Sequence, residues 1–276
     1  MRPLAPGLHV VASPIGNLGD LGTRAAETLR RADRILAEDT RVTGKLLKHV
    51  GSKVPMHRYD DHSGDAERER IVDRLGDQAV ALVCDAGTPM ISDPGYKLVR
   101  AARAAGHDIY TVPGPCAAIA ALTLAGLPSD RFLFVGFLPA KANARSEAIG
   151  EFAAIRATLI LYESGPRLGG TLGALAAALG PREAAVAREI TKLHEECVTG
   201  SLSELAERYA GLSPKGELVI VVGPPGDAAE ASNAELDAAL DEALERLSPS
   251  RAAAQVAERL GVPRKRAYAR ALERVR

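Results

Sequence analysis

Short apolar runs alternate along the first part of the chain with segments whose apolar residues recur at helical spacing. The runs end in Gly- and Pro-containing loops, which is typical of strands, and the segments between them are amphipathic. Such alternation predicts parallel strands in a sheet that helices cover. The expected strands are residues 8–12, 34–37, 79–83 and 108–112, and the expected helices are 23–32, 66–75 and 96–105.

A second series of the same kind begins near residue 120. Its expected strands are 132–137, 158–162, 184–188 and 217–222, and its expected helices are 168–179 and 203–209. The sequence therefore predicts an α/β protein with two α/β domains, residues 1–116 and 117–223, and a mostly parallel sheet in the first.

The last part of the chain differs in composition. Residues 224–236 are rich in Pro, Gly, Ala and acidic residues, which favours a linker, and residues 237–276 form a helical, basic tail. A break at Gly261, Val262 and Pro263 between two helical patterns is typical of a helix-turn-helix. The basic residues of the tail are Arg246, Arg251, Arg259, Arg264, Lys265, Arg266, Arg270, Arg274 and Arg276. They suit contacts with phosphates, or else form a solvated helix face.

Overall charge argues neither for nor against a nucleic-acid partner, because 35 basic and 35 acidic side chains balance. The cysteines Cys84, Cys116 and Cys197 lack metal-binding spacing and are expected to be reduced thiols. His57 and His62 flank a polar loop, and their spacing is weak support for a metal, so no metal is expected. Neither a signal peptide nor a membrane span is predicted, which favours a cytoplasmic protein.

Three loops of small residues follow predicted strands, at residues 13–17, 85–89 and 113–115. Each alone is explained by strand termination, but three at one sheet edge favour a ligand site, since ligands bind beyond the carboxyl ends of parallel strands. The dinucleotide fingerprint, the P-loop and the GxSxG elbow are all missing from the sequence. The residues alone therefore predict a small-molecule pocket of unspecified chemistry.

The ordered motifs from about residue 8 to 223 closely resemble one family. They are SPIGNLGDLGTRAAETLRRAD, AEDTR, CDAGTPMISDPGYKLV, VPGPCAAIAALTLAGLPSDRFLFVGFLP, LILYESGPRL and AREITKLHEE. The family is the ribosomal RNA small-subunit methyltransferase I family, of the tetrapyrrole methylase superfamily, which methylates a cytidine 2′-hydroxyl in 16S rRNA. The resemblance implies a two-domain tetrapyrrole-methylase-like fold with a helix-turn-helix tail. It also implies a homodimer that acts on 16S rRNA or the 30S subunit and uses S-adenosylmethionine.

The resemblance also implies which residues bind the methyl donor in a cleft between the domains. They are Pro14, Asp85, Ala86, Gly87, Thr88, Ile91, Ser92, Cys116, Ala117 and Tyr162. Much of this contact is expected from the backbone, which small residues leave accessible.

The acceptor hydroxyl is a very weak acid, so a base that removes its proton would assist the transfer. Glu38 and Asp39 follow a predicted strand on the ligand side and are the first candidates. The alternative is that they cap the next helix or pair with Arg41. Glu189 and Lys192 are second catalytic candidates, and Lys192 is equally suited to binding phosphate.

Two other functions stay open from the residues. One is methylation of a tetrapyrrole or another small acceptor, because a fold does not fix its acceptor. The other is a ligand-sensing DNA-binding regulator, in which the body senses a metabolite and the tail binds DNA. The basic tail argues against the first, and the small size of the tail argues against the second.

Overall fold

The chain divides into two compact units, Met1–Gly223 and Pro224–Arg276. The computed structural model describes residues 3–60, 62–226, 233–260 and 262–275. Residues 227–232 of the predicted linker lie outside this part of the chain, as do Gly261 and Arg276 of the predicted tail. None of the described helices is both long enough and apolar enough to cross a membrane.

The first half of the larger unit is a five-stranded sheet in the order β3-β2-β4-β1-β5, with every neighbouring pair parallel. Its strands are β1 (Gly7–Val11), β2 (Arg34–Ala37), β3 (Met56–Arg58), β4 (Ala79–Val83) and β5 (Ile109–Val112). Its helices are α1 (Thr23–Arg31), α2 (Thr40–Val50), α3 (Asp65–Arg74) and α4 (Tyr96–Ala104). The predicted parallel sheet is confirmed.

Both faces of this sheet are covered, which explains why β1 and β4 are buried along their whole length and, apart from His9, contain no polar side chain. One face packs Leu8, Leu36 and Leu82 against α3 and α4. On the other face, residues such as Val83 pack against α1 and α2, which contributes Leu46. The sheet is therefore packed between two layers of helices, which hold the ends of its strands in place.

The second half is a mixed sheet in the order β6-β7-β10-β8-β9, in which only β6 and β7 are parallel among the described strands. Its strands are β6 (Phe132–Phe137), β7 (Thr158–Ser164), β8 (Glu183–Arg188), β9 (Glu196–Ser201) and β10 (Glu217–Val222). Its helices are α5 (Ala117–Ala125), α6 (Ala142–Phe152), α7 (Gly165–Leu179) and α8 (Leu202–Arg208). Helix α5 covers one face of the sheet, and α6, α7 and α8 cover the other.

The smaller unit contains α9 (Asn233–Leu244), α10 (Pro249–Leu260) and α11 (Arg264–Arg274) around a core that includes Leu240, Val256 and Ala271. Helix α9 starts four residues before the predicted tail, so the end of the predicted linker is helical. The reason is that Leu236, placed in that linker by its polar neighbours, is fully buried in this core.

Candidate active site

The three predicted ligand loops meet at one edge of the first sheet, beyond the adjacent strands β4, β1 and β5. The backbone N–H of Ser13 donates to the Gly87 carbonyl at 2.8 Å, and that of Gly87 donates to the Ser13 carbonyl at 3.2 Å. The Thr88 hydroxyl donates to the Pro115 carbonyl at 3.1 Å. These bonds join all three loops into one wall.

The wall depends on glycine and on unusual backbone conformations. Gly87 has a φ of 79°, and a Cβ there would lie 3.3 Å from Ile15 Cγ2. A Cβ on Gly114 would lie 2.9 Å from the Cβ of Ala12. Met90 and Ser92, in the same loop as Gly87, have φ values of 74° and 63°. Such left-handed residues are costly outside glycine and tend to cluster at functional sites.

A cavity of about 390 Å³, called the first cavity here, lies between this wall and the second sheet. Nine of the ten residues that the resemblance implies for the donor line it: Asp85, Ala86, Gly87, Thr88, Ile91, Ser92, Cys116, Ala117 and Tyr162. The second sheet contributes Phe137 and the start of β10 at Glu217. The strand-end loops of the first sheet and residues of the second sheet therefore line one space, of a size typical for small-molecule sites.

Tyr162 forms the side of the first cavity that belongs to the second sheet. Its hydroxyl accepts a hydrogen bond of 3.2 Å from the backbone N–H of Ala118, at the start of α5. Phe134 and Phe137 pack edge-on against its ring, with centroids 5.0 and 5.6 Å away. Burial raises the pKa of Tyr162 above its ordinary value, so the side chain stays a neutral phenol with a fixed orientation.

A second cavity of about 380 Å³ adjoins the first and shares Ile15, Asp85, Ala86 and Glu217 with it. Pro14 lines this second cavity and not the first, together with Asp85 and Ala86, which line both. The loop after β1 runs toward α2, which also lines the second cavity, and its Gly16 contacts Lys192. The remaining lining residues are Ser13, Gly16, Leu18, Val42, Thr43, Lys45, Leu46, Cys84 and Lys192.

The two carboxylates after β2 have different surroundings. Glu38 lines the first cavity. Asp39 is the N-cap of α2, and its side chain accepts a 2.8 Å bond from the Arg41 N–H and pairs with the Arg41 guanidinium at 2.6 Å. These bonds hold the pKa of Asp39 well below its usual range. The structure therefore gives Asp39 the capping and pairing role that was the alternative to catalysis.

Glu189 and Lys192, in the loop after β8, form an ion pair of 2.9 Å. Glu189 packs so closely on Gly216 that a Cβ there would lie 2.2 Å from its Oε1. The Lys192 side chain lies on Gly16, where a Cβ would be 2.5 Å from its Cε. The Thr191 hydroxyl also donates to the Asp20 carboxylate. This loop of the second sheet thus closes over the first-strand loop, and Lys192 lines the second cavity.

Three further acidic residues that line the first cavity were not predicted from the sequence. They are Asp93, Glu163 and Glu217. Glu163 is buried, and it accepts hydrogen bonds from Thr171 Oγ1 at 2.6 Å and from the Ser164 N–H at 2.8 Å. It therefore fixes the end of β7. Its position next to Tyr162 in LILYESGPRL was the signal that could have found it.

The described residues include no group of three or more His, Cys, Asp or Glu side chains placed to hold a metal ion. Of the two histidines considered in the sequence, His57 has its Nε2 2.7 Å from Glu67 Oε1. His57 therefore belongs to a surface pair with α3.

The basic tail is partly neutralised from within. Arg270 pairs with Asp237 of α9 and with Glu273, and Arg274 pairs with Asp237 and with Asp241. Arg259 also pairs with an acidic side chain of α9, Glu242, at 3.2 Å. In the part of the tail that the structure describes, four exposed cations have no acidic partner: Arg246, Arg251, Arg264 and Lys265.

Comparison with known proteins defines the class first. Residues 7–206 match the family described as Tetrapyrrole (Corrin/Porphyrin) Methylases. Two solved structures share the fold. One is a diphthine synthase, with a TM-score of 0.62 and 16% identity over 78% of this chain and 89% of that one. The other is a uroporphyrin-III-C-methyltransferase from Thermus thermophilus, with a TM-score of 0.56 and 22% identity over 79% and 94%. The protein is a methyltransferase of this fold.

Closer relatives narrow the class. Residues 230–274 match the RsmI C-terminal HTH domain. Proteins named ribosomal RNA small subunit methyltransferase I are 57% identical in Erythrobacter litoralis, over 99% of this chain and 96% of that one, and 46% identical in Mesorhizobium japonicum, over 99% and 93%. The same-named protein of Escherichia coli O157:H7 is 44% identical over 96% and 94%. The chain belongs to the ribosomal RNA small subunit methyltransferase I family.

Proposed function

We propose that the protein transfers a methyl group from S-adenosylmethionine to the 2′-hydroxyl of a cytidine in 16S rRNA. Family membership supports methyl transfer to small-subunit rRNA, since the relatives carry that activity in their names. The observation that carries the proposal is the difference in charge between two adjoining cavities. Among the described residues, the first is lined by acidic side chains and by no lysine or arginine. The second is lined by two lysines and by Asp85 and Glu217, which it shares with the first.

The residues of the first cavity fit this donor. Among the described residues that line it, five are acidic and none is lysine or arginine. The five are Glu38, Asp85, Asp93, Glu163 and Glu217. A cavity lined in this way favours a cationic ligand over a phosphorylated one. Ile15 and Ile91 add apolar surface for a purine, and Ala86, Gly87 and Ala117 let the ligand reach backbone groups. Pro14, in the second cavity, would contact the donor only where the two spaces join.

When bound, S-adenosylmethionine supplies an electrophilic methyl group on a sulfonium centre. The wall formed by the three loops would hold the donor, and alignment of donor and acceptor would supply much of the rate. Glu38 is the residue best suited to take the proton of the acceptor hydroxyl, because it lines the first cavity beside Asp85, which lines both cavities. Asp39 is a poor base, because Arg41 lowers its pKa.

Glu189 and Lys192 act together in this proposal. Glu189 does not line the first cavity, whereas Glu38 does, so Glu189 ranks below Glu38 as a base. The Glu189 carboxylate forms the 2.9 Å ion pair with Lys192 instead. Lys192 reaches the second cavity, where a cation suits the phosphate of an RNA strand. The expected substrate is 16S rRNA, free or in the 30S subunit, and the expected assembly is a homodimer, which sedimentation analysis tests directly.

Radiolabelled methyl transfer tests the function. The purified protein is incubated with S-adenosylmethionine and 30S subunits that lack their own modification, beside naked 16S rRNA and a tetrapyrrole. Label in one alkali-resistant cytidine dinucleotide supports a 2′-O product. Label in the tetrapyrrole alone, or in no RNA despite measured donor binding, contradicts the rRNA assignment and leaves the fold and family unchanged.

A further inference from the structure

The second cavity is built from both halves of the larger unit, next to the space assigned to the donor. The loop after β1, helix α2 and the Lys192 loop surround it, and Ile15, Asp85, Ala86 and Glu217 separate it from the first cavity. A group that fills the second cavity therefore lies beside a group that fills the first. Two reactants need this arrangement if one is to attack the other.

One side of α2 gives this cavity a mixed apolar and cationic surface. Val42, Lys45 and Leu46 line it, and positions three and four apart share a face of a helix. Val42 is 39% exposed and Leu18, across the cavity, is 46% exposed. Two apolar side chains left partly in solvent at a cavity mouth suit the face of a nucleobase, which unstacked RNA presents for contact.

The two lysines of the cavity differ in availability. Lys192 is committed to Glu189 at 2.9 Å and lies packed on Gly16. Lys45 is exposed and has no acidic partner in the described part of the chain. Lys45 is therefore the cation of this cavity with full charge to offer an incoming anion.

We propose that the second cavity receives the acceptor nucleotide after it leaves the RNA stack. Its base lies between Leu18 and Val42, and Lys45 binds its phosphate. This assignment rests on the proposed function, because it takes the first cavity as the donor site. Enzymes that modify a nucleotide within structured nucleic acid extrude it into a pocket of their own. Lys192, held by Glu189, Gly16 and the neighbouring Thr191–Asp20 bond, provides a preformed wall.

The test compares Lys45→Glu with Lys48→Glu. Both lysines are exposed on α2, but only Lys45 lines the cavity. Methyl transfer is measured against the concentration of 30S subunits, and donor affinity is measured by calorimetry. We expect Lys45→Glu to raise KM for the subunit at least about tenfold, the usual scale for a lost charged contact. Lys48→Glu is expected to change KM less than about twofold, as for a surface charge away from the contact. Neither variant should change donor affinity.

A second pair of variants tests the apolar part. Val42→Trp fills the cavity mouth, and Ile155→Trp adds the same bulk at a site of similar exposure, 40%, that lines neither cavity. Val42→Trp should reduce kcat/KM at least about tenfold with donor affinity unchanged, since a misplaced acceptor loses alignment. Ile155→Trp should have the same kcat/KM and donor affinity as the unsubstituted protein.

The outcomes separate the two proposals. If the original protein methylates the subunit but Lys45→Glu behaves like Lys48→Glu and Val42→Trp behaves like Ile155→Trp, the acceptor site is wrong and the proposed function stands. If the original protein binds the donor and methylates no RNA, the proposed function is wrong and the acceptor site falls with it.

Discussion

Glu38 and Asp39 are neighbours in the chain, yet their surroundings suit different tasks. The Asp39 side chain caps the first turn of α2 and pairs with Arg41, whereas Glu38 lines the first cavity. Two carboxylates of one type are thus separated by local structure into a capping group and a candidate base. Only the folded chain reveals this, because both residues follow the same strand and carry the same charge.

Glu38→Gln is therefore expected to reduce kcat by about 10²- to 10⁴-fold, the range for loss of a general base, with donor affinity retained. Asp39→Asn should leave kcat within a few-fold, because asparagine caps a helix about as well as aspartate. Single-turnover methyl transfer with each variant measures the difference. A larger loss in Asp39→Asn than in Glu38→Gln would reverse the assignment.

Gly87 offers a second test at the scale of one residue. Gly87→Ala and Gly106→Ala both place alanine at a positive φ, 79° and 81°, but a Cβ on Gly106 meets nothing within 4 Å. Both changes should lower the free energy of unfolding by about 1 kcal/mol or more. Only Gly87→Ala should also weaken donor binding, because its Cβ enters the wall of the first cavity and lies 3.3 Å from Ile15 Cγ2. Equal donor affinities in calorimetry would argue against that wall as the donor contact.

Among the elements, the strands rich in apolar residues were the most predictable. The bounds expected for β2, β4, β6 and β10 agree with the structure, because each is mostly an apolar run between polar or turn residues. Helix α5 has no predicted bounds. Its sequence, AAIAALTLA, is apolar all round and so has no helical period, although its packing on the second sheet buries only one face. The edge strands β3 and β9 were missed because they are short or polar and only partly buried.

The pairing of α9 with α11 predicts how the tail responds to acid. Hydrogen bonds from Arg270 and Arg274 lower the pKa values of Asp237 and Asp241 below their ordinary value of 3.8. A carboxylate with a lowered pKa in the folded state contributes stability above the ordinary value, and this is lost as pH falls through the lowered one. Tail helicity should thus begin to fall below about pH 3.8.

Circular dichroism of the original protein and of an Asp237→Asn, Asp241→Asn double variant measures this effect. The double variant should be less stable at neutral pH and should lose the acid step that belongs to these pairs. The same acid profile in both proteins would mean that the pairs contribute nothing to the tail.

At the scale of the whole molecule, the sequence predicted which loops form the ligand wall but not the division into two cavities. The three loops follow strands that the pattern identified, so their meeting at one edge could be foreseen. The second cavity depends on the Lys192 loop closing on Gly16, a contact between residues far apart in the chain. No local pattern encodes such a contact, so the second cavity could not be predicted from the sequence.

Because the chain separates into two compact units, we expect donor affinity and RNA affinity to depend on different parts of it. All hydrophobic clusters of the two sheets lie within residues 1–223, so a chain ending there should fold and bind the donor with unchanged affinity. Its affinity for 16S rRNA should fall, because the tail cations are gone. Unchanged RNA affinity, measured by filter binding, would assign all RNA contact to the body.

The acidic residues of α9 also limit the number of counterions that the tail can displace from RNA. An arginine already neutralised by Asp237 or Asp241 displaces few counterions from a phosphate strand, so it adds little to the salt dependence of binding. With four unpaired cations in its described part, the tail should steepen the slope of log affinity against log salt by roughly three to four. The affinity of this arginine-rich tail for RNA would then depend on salt concentration as weakly as that of a tail with far fewer basic residues. RNA affinity would fall gradually as the salt concentration rises.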